Sequence, residues 1–182
     1  MAVESATRGV LAPENQERRE HIVSLLKQAY WMEVESVMSY LAASVNPDGV
    51  RAREIAEAIE EDVGEELAHA KRFAQRVKEL YGVVPGSFEF QPVQRSLQPP
   101  ERQTDVVHVI RGVIDAETGA IEHYNRIIAE ADGFDWATQD MVSEILHDEE
   151  RHRRLFEGFL REWEDTVGTV PSEGTPSETG GW

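Results

Sequence analysis

The 182-residue sequence contains no cysteine. Disulfides, thiolate zinc sites, cysteine-ligated iron–sulfur clusters and cysteine nucleophiles are therefore excluded. No apolar run approaches the roughly 18 residues of a membrane-spanning helix, and the first residues lack the apolar segment of a secretory signal. These absences predict a cytoplasmic protein without a membrane partner.

Basic residues are scarce. Lys and Arg number 18 against 35 Asp and Glu, which gives a formal net charge of −17. Nucleic acid is not expected as a partner, because a polyanion would be repelled. This acidic composition is compatible with a protein that binds cations. It is equally compatible with an acidic surface that keeps the protein soluble through repulsion between molecules.

Four long stretches of the sequence show apolar residues at three- and four-residue steps, which is typical of amphipathic helices. We predict an all-α fold, an antiparallel four-helix bundle of two helical hairpins, over residues 14–165. A short arm, residues 1–13, precedes it, and a flexible polar tail, residues 166–182, follows. Residues 83–103 carry four of the eight prolines and no helical period. They are predicted to form the long crossover between the hairpins.

One carboxylate interrupts the apolar stripe of each predicted helix. The four are Glu33, Glu66, Glu117 and Glu149. On the second and fourth helices a histidine, His69 or His152, follows three residues later, a spacing that places both side chains on one helix face. Polar groups in a helical core are costly unless they are paired. The same spacing of carboxylates and histidine thus occurs in both halves of the chain. It predicts that six polar side chains lie at one level of the bundle.

Four carboxylates and two imidazoles suit two divalent metal ions. The carboxylates can balance four positive charges in a core of low dielectric constant and can bridge both ions. The imidazoles complete the coordination and leave positions open for oxygen species. The alternative is a set of buried polar residues that pair with one another without metal.

Two tyrosines are candidate catalytic residues. Tyr40 and Tyr124 lie seven residues beyond Glu33 and Glu117, so they share the face of the ligand candidates. They could bond a bridging carboxylate or supply an electron during oxidation. The alternative is an ordinary core tyrosine with one hydrogen bond.

Three further carboxylates lie next to the candidate ligands in sequence. Glu65 and Asp148 directly precede Glu66 and Glu149, and they can either orient the histidine of the opposite half or lie solvated on the surface. Asp62, one turn before Glu66, can lie along a route for ions.

A third Glu-x-x-His pair, Glu144 and His147, lies five residues before the pair of Glu149. Helical geometry turns it away from the inward face, so we expect it on the surface. Glu35, two residues from Glu33, is expected to face away from the ligand candidates for the same reason.

The segment Ile-Leu-His-Asp-Glu-Glu-Arg-His over residues 145–152 is similar to the fourth-helix motif of the ferritin superfamily. The two Glu-x6-Tyr spacings are similar to its other ligand helices. Over about residues 20–163 the chain resembles bacterioferritins and the Dps-like proteins that carry a bacterioferritin-type site. The resemblance implies a di-iron centre with two iron ions per subunit and the ligands Glu33, Glu66, His69, Glu117, Glu149 and His152.

The resemblance also implies an oxidoreductase of the ferroxidase type. Fe(II) would be oxidised by dioxygen or hydrogen peroxide and stored in a homo-oligomeric cage, as a defence against iron and oxidative stress. Manganese in place of iron, another dinuclear oxidant enzyme such as a catalase, peroxidase or oxygenase, and a metal-binding module without turnover are the alternatives.

Some features of the chain depart from these relatives. Leu67 stands where bacterioferritins carry the haem-binding Met, so haem is not expected. The cysteine pair of many Dps-like relatives is missing. The tail is too short and polar for the fifth helix of larger ferritins, which favours a cage of 12 subunits over one of 24. Neither end is basic like the arms of the DNA-binding members.

Overall fold

The computed structural model describes residues 9–168, with side chains placed as far as residue 165. All regular secondary structure in this range is helical, as the sequence predicts. Two short 3-10 turns, Gly9–Leu11 and Pro13–Asn15, lead into the first of four long helices. These helices are α1 (Gln16–Val45), α2 (Ala52–Glu79), α3 (Val106–Ala131) and α4 (Trp136–Gly168). Most of the predicted tail, including Trp182, lies outside the described residues, as do residues 1–8.

The four helices form two hairpins, since α1 packs most extensively against α2, and α3 against α4. A carboxylate begins each helix of the second hairpin. Asp105 accepts the backbone N–H of His108 at 3.1 Å, and Asp135 accepts that of Thr138 at 3.1 Å. No helix in the described part of the chain is long and apolar enough to cross a membrane.

The bundle core consists of two apolar clusters that succeed one another along the helices. The first contains Leu26, Phe73, Tyr124, Val142 and Ile145, and the second contains Tyr40, Ile59, Ile110, Val113 and Phe156. On every helix the candidate ligands lie, in sequence, between members of the two clusters. The clusters therefore enclose a polar layer and shield it from water.

The crossover is irregular apart from one 3-10 turn, Ser87–Glu89. It is held to α1 by Glu35, whose carboxylate accepts the backbone N–H groups of Val93 and Gln94 at 2.9 Å. Glu35 does face away from the candidate ligands, but it is only 3% exposed. The crossover covers it, which helical periodicity alone does not reveal.

The crossover also lies directly on α3 at Gly112. A Cβ atom at Gly112 would come within 2.9 Å of the carbonyl oxygen of Ser96. Beside this contact Leu97, 5% exposed, enters the second apolar cluster. The crossover is thus packed against both hairpins.

Candidate metal centre

The structure brings the six predicted ligand residues together in the polar layer. None of them is more than 4% exposed. They come from all four helices and are Glu33 on α1, Glu66 and His69 on α2, Glu117 on α3, and Glu149 and His152 on α4.

These side chains form two overlapping groups of potential ligands, and within each group the donor atoms lie within 4.8 Å of one another. Glu66 and Glu149 belong to both groups. The first group adds Glu33 and His69, and the second adds Glu117 and His152. Two shared carboxylates between two otherwise separate sets are the arrangement expected of two bridged ions.

Several potential donor atoms of these residues lack a hydrogen-bond partner. In the described part of the chain, five buried atoms of these residues have no hydrogen-bond partner, namely Glu66 Oε1, His69 Nδ1, both Glu149 oxygens and His152 Nδ1. His69 Nδ1 lies 3.0 Å from Glu149 Oε1 without the geometry of a hydrogen bond. Buried polar atoms left unpaired are strongly unfavourable. The donor set therefore fits two divalent cations better than a polar core held by its own hydrogen bonds.

The carboxylates of the metal-free layer have very different proton affinities. Burial, followed by repulsion from neighbouring carboxylates, raises the pKa of Glu33 and of Glu117 well above the usual value. Burial alone would also raise the pKa of Glu149, but its contacts with His152 and His69 lower that pKa to about 2. In the absence of metal, Glu33 and Glu117 therefore hold a proton more tightly than Glu149 does.

Both imidazoles bind a proton more tightly than a free histidine does. Burial would lower the pKa of His152, but contacts with Glu149 and Glu66 outweigh it and raise the pKa to about 11. The pKa of His69 is also raised, because contact with Glu149 outweighs burial. A metal ion binds the neutral imidazole, so metal ions and protons compete for these two rings.

The two tyrosines bond carboxylates across the bundle. Tyr40 on α1 donates its hydroxyl proton to Glu117 on α3, and Tyr124 on α3 donates to Glu33 on α1. Burial raises the pKa of both phenols well above their usual value, so they remain neutral donors. The sequence predicted that both tyrosines lie on the inward face. The structure shows that each hydroxyl group donates to a carboxylate of the opposite hairpin.

The outer nitrogen of each imidazole also meets a carboxylate from the opposite hairpin. His152 Nε2 lies 3.0 Å from Glu65 Oε2, and His69 Nε2 lies 3.4 Å from Asp148 Oδ2. Such partners fix the orientation of a ligating imidazole. Asp62 lies on the outer side as well, with Oδ1 3.5 Å from His152 Nε2. Its pKa is raised to about 6 by burial.

Sequence reasoning missed one residue of this outer region. Arg151 places its Nη2 atom 2.6 Å from Glu65 Oε2 and 3.5 Å from Asp148 Oδ1. The only available signal was its place inside the motif of α4, two residues after Glu149. The pair Glu144 and His147 is exposed, as predicted.

Comparison with solved structures finds the same fold in a dodecameric thioferritin, the bacterioferritin-related protein of Bacteroides fragilis. The TM-score is 0.78, and the match covers 85% of this chain and 92% of that one at 24% sequence identity.

Two curated proteins are similar to this chain along most of their length. A bacterioferritin of Desulfovibrio desulfuricans is 25% identical over 174 residues, covering 93% of this chain and 92% of the relative. A "DNA protection during starvation protein" of Pyrococcus furiosus is 28% identical over 144 residues, covering 78% and 77%. The family model of the ferritin-like domain matches residues 23–166. With the four-helix bundle and its buried carboxylate–histidine layer, this match shows that the chain belongs to the ferritin-like family.

Proposed function

We propose that this protein is a ferroxidase that takes up Fe(II) as substrate at a dinuclear centre and passes oxidised iron to storage. The observation that carries the proposal is the pair of overlapping ligand groups that share Glu66 and Glu149. A single-ion site would not need two complete sets of donors. Membership of the ferritin-like family supports the same assignment.

Each residue of the polar layer has a role in this proposal. Glu66 and Glu149, which belong to both groups, would hold both iron ions, Glu33 and His69 would hold one ion, and Glu117 and His152 would hold the other. His69 Nδ1 lies 3.9 Å from Glu33 Oε1, and His152 Nδ1 lies 3.8 Å from Glu117 Oε1, so the two terminal pairs are spaced alike. The bound iron supplies the electrons that reduce dioxygen or hydrogen peroxide.

The protein controls charge and protons around the ions. The four carboxylates balance the charge of two divalent ions in a layer shielded by the apolar clusters. His69 and His152 give up their protons when the ions bind. Tyr40 and Tyr124 hold the terminal carboxylates Glu117 and Glu33 in place through their hydrogen bonds. Because these phenols are bonded directly to ligand residues, we also propose that they donate electrons during oxidation.

We propose iron storage in a homo-oligomeric cage of 12 subunits. A solved neighbour is described as dodecameric. Haem is not part of the proposal, because Leu67, the residue after Glu66, offers no ligand atom.

The test compares Fe(II) oxidation by the wild-type protein with that of the variants Glu66→Ala and Glu149→Ala. Both variants remove a carboxylate common to the two groups, so we expect oxidation no faster than in buffer. Glu144→Ala is the matched control, because it removes the glutamate of the exposed third Glu-x-x-His pair and should leave the rate unchanged. Equal rates in all four proteins would refute the proposal.

A further inference from the structure

A network of three polar side chains joins the end of α2 to the beginning of α4. It consists of Arg76, Asp135 and Thr138, and we call it the Arg76 network. Arg76 Nε donates to Thr138 Oγ1 at 2.8 Å, and Arg76 Nη2 donates to Asp135 Oδ1 at 2.6 Å. Thr138 Oγ1 in turn donates to Asp135 Oδ2 at 2.6 Å. Because hydrogen bonds are directional, this network specifies how the two helix ends face each other.

The Arg76 network is buried, unlike the other arginine contacts between these helices. The side chain of Arg76 is 12% exposed, and both Asp135 and Thr138 are buried. Arg72 and Arg151 also reach from one helix to the other, but their side chains are 33% and 55% exposed. Exposed ion pairs contribute little to stability, whereas a buried carboxylate needs its partner. Of these arginine contacts, the Arg76 network is therefore the one that constrains α2 and α4 most.

The internal repeat places apolar residues at the opposite end of the same pair of helices. Arg76 lies ten residues after the shared glutamate of α2, and the equivalent residue of α4 is Phe159. Thr138 lies eleven residues before the shared glutamate of α4, and the equivalent residue of α2 is Ile55. Ile55 belongs to the second apolar cluster, and Phe159 packs against it. Apolar contacts are not directional, so that end alone does not specify how far the helices are shifted along each other.

The Arg76 network lies at the same distance from the shared carboxylates on both helices. With a rise of about 1.5 Å per residue, Arg76 is about 15 Å from Glu66 along α2, and Thr138 is about 16 Å from Glu149 along α4. A contact that fixes Arg76 against Thr138 therefore also fixes the two glutamates against each other. A shift of α4 by one residue would move its ligands by about 1.5 Å, whereas metal–ligand distances tolerate only about 0.2 Å.

We propose that Arg76 is a positioning residue for the dinuclear centre. Through Asp135 and Thr138 it fixes the shift of α2 relative to α4 along the bundle axis. The two shared carboxylates, one on each helix, are thereby held at the spacing that a pair of metal ions needs. This inference rests on the proposed dinuclear function and adds to it a residue almost three helical turns away from the ligands.

The test is an anaerobic titration of the assembled full-length protein with Mn(II), with electron paramagnetic resonance to detect spin coupling between the two ions. Arg76→Met keeps a long side chain but removes its N–H donors. We expect it to bind both ions about tenfold more weakly and to change the coupled spectrum of the wild type. Arg76→Lys keeps the charge but loses the planar fork of donors, so its affinity should lie between those of Arg76→Met and the wild type.

A further variant separates positioning from stability. Arg76→Phe with Thr138→Ile copies the apolar residues of the opposite end, and Asp135→Asn removes the buried charge while keeping a residue that can cap α4. The melting temperature Tm of this triple variant should lie closer to that of the wild type than the Tm of Arg76→Met does. Its Mn(II) affinity should nevertheless remain about tenfold below the wild type, and wild-type affinity would overturn the inference.

The matched control is Asp105→Ala, which removes the carboxylate that caps α3 and leaves the Arg76 network intact. It should lower Tm but leave Mn(II) affinity and the coupled spectrum unchanged. The inference is overturned if Arg76→Met binds Mn(II) like the wild type, or if Asp105→Ala weakens binding as much as Arg76→Met does. Arg76→Lys decides in the same way if Arg76→Met does not fold. Failure of the dinuclear function itself looks different, because the wild type would then bind no coupled pair of ions.

Discussion

The surroundings of His69 and His152 match on one side of each ring and differ on the other. Both rings turn Nδ1 toward the shared Glu149, at 3.0 and 3.5 Å. On the outer side His69 meets, among the described residues, Asp148 alone, whereas His152 meets Glu65 and Asp62. The inner side keeps the repeat, as the proposed pair of equivalent ions would require.

A second difference separates the two hairpins. Two residues after Glu33, Glu35 is buried and holds the crossover, whereas two residues after Glu117 stands Gly119. The crossover lies over this part of α1 and leaves a side chain at Gly119 open space. The halves are alike in the polar layer and unlike at these two positions, because the crossover covers Glu35 and does not reach Gly119.

The largest expected effect concerns the carboxylates that belong to one group only. Glu33→Gln should abolish one of two Co(II)-binding events and Glu117→Gln the other, each lowering affinity at its own position by at least about 100-fold, since a ligand is lost outright. Anaerobic titration with Co(II), read from its visible absorption, measures both. If either variant lost both events or neither, the assignment of one terminal carboxylate per ion would be wrong.

The outer carboxylates should have a smaller and unequal effect. We expect Asp148→Asn to weaken metal binding about 10- to 100-fold, because His69 loses the one carboxylate that the described residues place on that side. Glu65→Gln should weaken it less, because Asp62 remains 3.5 Å from His152 Nε2. The same Co(II) titration ranks the two variants, and the reverse order would contradict the asymmetry described above.

Replacement of Glu35 should affect stability rather than metal binding. Glu35→Ala leaves the N–H groups of Val93 and Gln94 without their acceptor, and we expect a loss of about 2–3 kcal/mol. Gly119→Ala is the contrasting variant on α3 and should stabilise by about 0.5–1 kcal/mol, because a helical glycine is replaced where space is open. Chemical denaturation of both proteins tests this difference, and equal effects would show that the crossover contributes nothing at Glu35.

The smallest effect is a pH dependence of the metal-free protein. The raised pKa of His152, about 11, exceeds the value of about 6.5 for an unfolded histidine. Its contribution to stability is therefore complete below about pH 6.5 and is lost as pH rises toward about 11. With chelator present, the wild-type Tm should fall by at least about 3 °C from pH 7 to pH 10, or roughly 1 kcal/mol.

The variant His152→Gln serves as the control for this pH dependence. It lacks the titrating imidazole, so its Tm should fall less over the same pH range. Identical curves for the variant and the wild type would assign the dependence to other groups.

Much of the fold followed from periodicity. The four stripes predicted the helices, and the prolines of residues 83–103 predicted the crossover. The meeting of the six candidate ligands was also predictable, since each interrupts an apolar stripe and the two hairpins repeat. Helical rotation likewise placed Glu144 on the surface.

Contacts between helices were not predictable in the same way. Tyr40 bonds Glu117 rather than a residue of its own hairpin. This contact depends on which helices are neighbours and on how far each is shifted along the bundle axis. The burial of Glu35 depends on the path of an irregular segment without a period. Periodicity gave no reason to single out Arg151, because only packing against α2 brings it to Glu65.

The sequence by itself determined which side chains face inward, because a helix fixes the direction of each side chain from its position alone. That was enough for the bundle and for a layer of carboxylates and imidazoles within it. Only the tertiary structure decided how the layer divides into two groups that share Glu66 and Glu149, and which cation and carboxylates gather outside His152. These features depend on distances between helices. Packing sets those distances, and the periodicity of a sequence carries no information about them.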